Sequence, residues 1–312
     1  MNSSSRLWFA TALVVAFGLA PALSAQDQRA PEIVHHRVNP NDGGPNAVFG
    51  AAPTAGSTSA LTAPLKYHGG PVFSTPTAYI IWYGNWAQAN NTDTASGQQI
   101  VTDFFNAIGG SPYFQINSTY VGSSNLISGN VTYGGATTVA YPYGASLTDA
   151  NIQSIVADAI NSKALPSDTN GIYFVLTSSD VAESSGFCSK YCGWHTHGTI
   201  NGSDIKYAFI GNAAQCLSAC AAQSIGPNGN AGVDGMVSVL AHELEEATTD
   251  ADASAWYNRR GYENGDLCAW TFGTSYQVAN GAYANMKLGT RDFLIQRNVT
   301  IRSTGQYCDL VK

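Results

Sequence analysis

Three short runs restrict the architecture most. Thr77-Ala-Tyr-Ile-Ile-Trp-Tyr83, Gly171-Ile-Tyr-Phe-Val-Leu176 and Ile205 to Ile210 are apolar, aromatic or β-branched almost throughout. Runs of this length and composition read as strands buried on both faces. Helical patterns separate them. Ser96 is placed to cap a helix running to Ile108, ended by Gly109-Gly110. Thr148 caps a second, over about 149–163, with Ile152, Ile155, Val156 and Ile160 on one face. Short strands with Gly and Asn turns are expected over 112–140. Strands alternating with helices up to about residue 250 predict an α/β layer, a mixed sheet packed by helices. Beyond 275 the chain is rich in Tyr, Asn and Gly and reads as β-rich. The expectation is one α/β (α+β) domain over 67–312.

The ends and the composition bound the setting. Arg6 precedes the apolar run Leu7–Ala20, and small residues follow to Ala25. Residues 1–25 read as a signal peptide whose run is too short for a membrane span. Residues 26–66 carry Pro, Gly, Ser and Thr with little apolar period and read as a disordered linker or pro-segment. No later stretch reaches eighteen apolar residues, so no membrane span is expected after cleavage. The protein is therefore expected outside the cytoplasm, secreted, extracellular or periplasmic. Net charge is −7 with no Lys/Arg cluster, which argues against nucleic-acid and acidic-lipid partners. Six cysteines fit an oxidising compartment. The simplest pairing is 188–192, 216–220 and 268–308, with a zinc site made from the two C-x-x-x-C pairs as the rival.

Chemistry concentrates at Ala241-His242-Glu243-Leu244-Glu245-Glu246. This is H-E-x-x-E, one residue from the H-E-x-x-H helix of zinc peptidases, and it predicts a zincin-like helix over roughly 233–249. His242 and Glu246 share a helix face, where two ligands can hold one metal. Glu243 lies beside them, placed to act as general base on a water activated by that metal. Val233, Met236, Val237, Leu240, Leu244 and Ala247 form the stripe expected to pack on the sheet. The alternative is a solvated acidic helix face.

A third ligand is needed. Glu263 follows Glu246 by seventeen residues, near the spacing at which gluzincins supply a glutamate, and Asp266 is its rival. Asp250 would reach only if the helix ended near Thr249 and the chain folded back. His195 and His197 form H-x-H after a small cysteine loop, and one of them, His195 or His197, is expected to stabilise an oxyanion or to add a ligand. Zinc is the expected metal, with calcium and manganese as alternatives. No G-x-S-x-G elbow is present. A glycosidase would need a spaced carboxylate pair, for which Glu243, Glu246, Glu263 and Asp266 are candidates. Trp82, Trp86, Trp194 and Trp256 belong either to the core or, if exposed, to a sugar-stacking surface. Extracellular protein or peptide, or cell-wall polysaccharide, are the expected partners.

A series of segments then points to a family. Tyr67-His-Gly-Gly-Pro71, Ile81-Trp-Tyr-Gly-Asn-Trp86, Val175-Leu-Thr-Ser-Ser-Asp180, Phe187-Cys188 to Cys192-Gly193, Tyr207-Ala-Phe-Ile-Gly-Asn212, Gln215-Cys216 and Val239-Leu-Ala-His-Glu243 occur in order. Together they resemble the EXORDIUM, or phosphate-induced protein, family of secreted proteins, over about 67–275. The resemblance implies association with the extracellular matrix and with growth responses, and it carries no settled biochemical activity. A non-catalytic matrix protein, its acidic helix structural, is therefore the alternative to a metal-dependent hydrolase.

Overall fold

The strand runs can be buried on both faces only if helices cover each side of the sheet, and the chain provides them. In the computed structural model, residues 56–312 are described, together with the backbone of residues 34–37, all within the unit Pro31–Lys312. The segment expected to be a signal peptide and the rest of residues 26–55 lie outside the described residues.

The main sheet has six strands in the order β1-β8-β9-β6-β3-β4. In chain order its members and neighbours are β1 (Val34–Arg37), β2 (Lys66–Tyr67), β3 (Thr77–Tyr83), β4 (Thr132–Val139), β5 (Ser146–Leu147), β6 (Gly171–Thr177), β7 (Ala182–Glu183), β8 (Tyr191–Ile200), β9 (Ser203–Ile210) and β10 (Trp256–Tyr257). Strands β4, β3, β6 and β9 run parallel, and β8 and β1 add on antiparallel. The sheet is thus mixed, as expected. Strand β6 is buried at all seven positions, which is why its sequence shows no polar alternation.

Among the described residues, four α-helices accompany the sheet: α1 (Ala95–Ile108), α2 (Asp149–Asn161), the single turn α3 (Leu217–Cys220) and α4 (Ala231–Thr249). Thr94, not Ser96, caps α1, because its hydroxyl accepts from the Gly97 amide. Thr148 caps α2 with Asn151 answering in a capping box. Between α1 and β4 the chain forms a 3₁₀ helix at Phe114–Thr119 where short strands were expected. After residue 275 it forms small hairpins, Tyr276–Gln277 with Tyr283–Ala284, Met286–Leu288 with Arg291–Phe293, and Asn298–Arg302 with Gly305–Asp309. The fold is α+β with a β-rich C-terminal part.

Three disulfides join Cys188–Cys216, Cys192–Cys220 and Cys268–Cys308. The last was expected, and the two local pairings were not realised. Cys216 caps α3 and Cys220 ends it. Cysteines four apart on a helical turn hold their Cβ atoms about 5–6 Å apart, beyond the roughly 3.5–4.5 Å a disulfide needs. Each therefore reaches across to the β8 segment. With all six cysteines bonded, a cysteine zinc site is also ruled out.

Two further differences concern the sheet edge and the aromatic residues. Within the stretch read as a disordered linker, β1 joins the sheet and Leu65 joins the core. The four tryptophans considered for sugar stacking are all buried, so none offers a face to a glycan.

Candidate metal centre

Helix α4 is where the fold departs furthest from an ordinary amphipathic helix. Asn230 caps it by accepting from the Val233 amide. Every residue from Gly232 to Thr249 is buried, including His242, Glu243, Glu245 and Glu246. The solvated acidic face is thereby excluded. The apolar stripe packs as expected, with Val233, Met236, Val237, Leu240 and Leu244 each fully enclosed.

Strand β8 lies against α4. A Cβ at Gly193 would come within 2.8 Å of Val239 Cγ1, so glycine permits the close approach. Side chains alternate along a strand, and His195 shares the face of Gly193. Its Nε2 is 3.7 Å from Glu246 Oε2 and 3.1 Å from Glu263 Oε2. On α4 itself, His242 Nε2 is 2.9 Å from Glu246 Oε1. Asp266 Oδ1 is 4.0 Å from the same imidazole nitrogen. Ligand atoms of His195, Glu243 and Glu246 lie within 4.8 Å of one another, as do those of His242, Glu246 and Asp266. Glu246 belongs to both sets. Six of the residues singled out in the sequence, His195, His242, Glu243, Glu246, Glu263 and Asp266, thus meet in one place.

The loop after α4 is built to deliver its carboxylates. The Tyr67-His-Gly-Gly-Pro71 segment braces it: β2 pairs with β10, the His68 amide donates to Ala255 O, and the Gly70 amide donates to Ser254 O. A Cβ at Gly70 would strike Ser254. The helix stops at Thr249, and Asp250 folds back, its Oδ1 accepting from the Ser254 and Ala255 amides. This was the condition for Asp250 to approach the site, and its charge adds to the rise in pKa at Glu246 and Glu263. Farther on, the Asp266 amide donates to Glu246 Oε1 at 2.9 Å. Gly265 lies so close that a Cβ there would sit 2.8 Å from His242 Nδ1 and 2.9 Å from Glu246 Oε1. Cys268, tied to Cys308, fixes the loop's far end.

Electrostatically this cluster is costly. His195, Glu246 and Glu263 are at most 1% exposed, and His242 is 2% exposed. Burial pushes both imidazoles down to about 3, with His242 adding to the effect on His195. Burial pushes Glu246 up to about 8, opposed by the Asp266 amide and reinforced by Asp250. Burial and the charges of Glu246, Asp250 and Asp266 drive Glu263 well above the carboxylate range. No lysine or arginine pairs with Glu246 or Glu263 among the described residues. Unpaired buried charges cost several kcal/mol each. A divalent cation would relieve that cost. The donor set fits one: two imidazole nitrogens and two or three carboxylates suit zinc or a similar transition metal better than calcium, which favours oxygen ligands only. Glu263 Oε1 is buried and accepts no hydrogen bond among the described residues, consistent with a carboxylate oriented for something other than protein.

His197, the second half of H-x-H, lies apart. It is half-buried, bonds Asp204 Oδ1 at 2.8 Å and lies 3.8 Å from Asp252. Sequence reasoning made Asp250 conditional and left out Asp252 and Gly265. Gly265 stands between Glu263 and Asp266 in the chain, but only the fold shows what it touches.

The comparison with sequence families decides the kinship. The profile described as "Phosphate-induced protein 1 conserved region" matches residues 65–290. The chain belongs to the phosphate-induced protein 1 family. It is 34% identical to "Protein EXORDIUM-like 3" of Arabidopsis thaliana, covering 82% of this chain and 86% of that protein. It is 32% identical to "Protein EXORDIUM-like 5" of the same plant, over 73% and 69% of the two chains. To "Protein PHOSPHATE-INDUCED 1" of Nicotiana tabacum it is 30% identical, over 62% and 67%. No solved structure matches. The matched span of the phosphate-induced protein 1 family contains every residue of the candidate centre, from His195 to Asp266.

Proposed function

We propose that this family member is a secreted metal-dependent hydrolase of peptidase type. The observation that carries the reading is the convergence of His195, His242, Glu246 and Glu263 in a buried site whose carboxylates have no lysine or arginine counter-charge among the described residues. These four residues would hold the metal, with Asp266 as a further donor. Such an ion, zinc by its donor set, supplies Lewis acidity that polarises a carbonyl and makes water a nucleophile near neutral pH. Glu243 would serve as the general base, positioned to hold a proton taken from water and to pass it to a leaving amine. Its carboxylate has an oxygen within 4.8 Å of the ligand atoms of His195 and Glu246, which is the neighbourhood this role requires. The Asp266 amide would orient Glu246 as outer partners orient metal ligands elsewhere.

Three disulfides support an oxidising compartment, and no helix among the described residues is long and apolar enough to cross a membrane. The test is hydrolysis of fluorescein-labelled casein by the purified chain with zinc, beside Glu243→Gln. The variant should keep its metal and lose about 10²- to 10⁴-fold in rate. Equal rates would overturn the assigned base. Bound metal with no hydrolysis by either form would make the ion structural.

A further inference from the structure

The site is enclosed, yet a hydrolase must admit its substrate. Strand β8 brings His195 to the centre, and its one flank away from β9 is taken by β1. Strand β1 runs antiparallel to β8, with Val34 opposite His195, His35 opposite Trp194 and His36 opposite Gly193. It also packs against α4, the other element that supplies the centre. This segment therefore lies, as an extended strand, along the outer edge of the strand that carries His195 and beside the helix that carries His242. The pairing is only four residues long and is broken by a register shift between His36 and Arg37. A strand this short, joined through residues 38–55 to the body of the domain, can leave without breaking the main sheet. Its departure would expose the backbone donors and acceptors of β8, a template that any extended chain can pair with.

We propose that the outer edge of β8 is a docking rail for an extended polypeptide, and that β1 occupies it as an internal pseudosubstrate. The proposal rests on the hydrolase reading for the cleavage after docking, while docking itself does not depend on it. Pairing antiparallel to β8 would carry a polypeptide's backbone past His195, where a scissile carbonyl must lie. Substrates would be unfolded or extended protein segments, selected by backbone more than by side chain. Removal or displacement of β1 would raise activity.

The test is amide hydrogen exchange followed by mass spectrometry on the full chain and on a His35→Pro/His36→Pro variant. Consecutive strand amides point to opposite sides, so one of the two prolines must remove a bond to β8. Peptides covering 191–200 should exchange at least about tenfold faster in the variant, with β6 unchanged as the folding control. Adding reduced, carboxymethylated casein in a Glu243→Gln background should restore the protection, as should a synthetic peptide of residues 31–40. Equal exchange in both forms would overturn the proposal, because β1 would not be guarding β8. So would lost protection that neither casein nor the peptide restores. If the variant fails to fold, the native chain answers instead: an excess of the 31–40 peptide carrying a photo-crosslinker must label β8, and labelling elsewhere alone would overturn the docking site. Restored protection without hydrolysis would strike the hydrolase reading and leave the docking rail standing.

Discussion

His195 and His197 sit two residues apart on one strand, and they end in opposite electrostatic settings. His197 shares its surroundings with Asp204, Asp252 and Lys206, whose ammonium lies 2.5 Å from Asp204 and 2.9 Å from Asp252. Burial alone would raise Asp204, but Lys206 and His197 more than offset it and hold the carboxyl below its usual value. That cluster has a lysine between its two carboxylates and is partly exposed. His195 faces Glu246 and Glu263 in a dry site with no lysine or arginine among the described residues, and the carboxyls there are driven up. The same residue types therefore form a surface salt-bridge network in one place and a cation receptor in the other. Depth and the presence of one lysine make the difference.

The comparison breaks most visibly if the inner cluster is deprived of metal. Burial lowers His195 and His242 from 6.5 to about 3, so the unfolded chain takes up those protons first. Stability should fall as pH drops from about 6.5 toward about 3. Burial raises Glu246 from 4.5 to about 8, so the folded metal-free chain keeps a proton that the unfolded chain releases. Stability should fall again as pH rises from 4.5 toward about 8. With chelator present, the melting temperature should therefore peak between about 4.5 and 6.5, where the two arms meet. Saturating zinc should remove the alkaline arm. Identical curves with and without zinc would contradict the receptor assignment.

Smaller changes sharpen the same contrast. Asp250→Ala removes the carboxyl that braces the loop after α4 and acts on Glu263 through its charge, and should weaken zinc about 10- to 100-fold, read by competition with a fluorescent chelator. Unchanged affinity would make Asp250 only a loop brace. Gly265→Ala forces a methyl against His242 and Glu246. It should cost about 1–3 kcal/mol in denaturant unfolding, with poorer zinc binding as well.

Much of the molecule is legible in its sequence for identifiable reasons. The buried strands stand out because β3 and β6 are covered on both faces and so are apolar throughout. Glu263 and Asp266 can be named because the spacing from Glu246 restricts the choice. The features that stay hidden depend on tertiary proximity. Nothing local distinguishes His195 from His197, since depth in the sheet separates them. The disulfides cross between two C-x-x-x-C segments because a helical turn holds its own cysteines too far apart, a fact that requires knowing where α3 lies. The full burial of α4 is not legible because its polar residues are enclosed from several distant segments: Glu246 by His195 of β8 and by the Asp266 amide, Glu245 by Asn298 near the C-terminus. The terminal strand β1 is hidden for the same reason: its low-periodicity sequence gains order from the edge of β8.

The most direct test of the contrast is the metal content of the purified chain by elemental mass spectrometry, beside His195→Ala and His197→Ala. The account predicts about one zinc per chain in the parent and in His197→Ala, and background zinc in His195→Ala. Zinc that survives loss of His195, or that disappears with His197 instead, would contradict it.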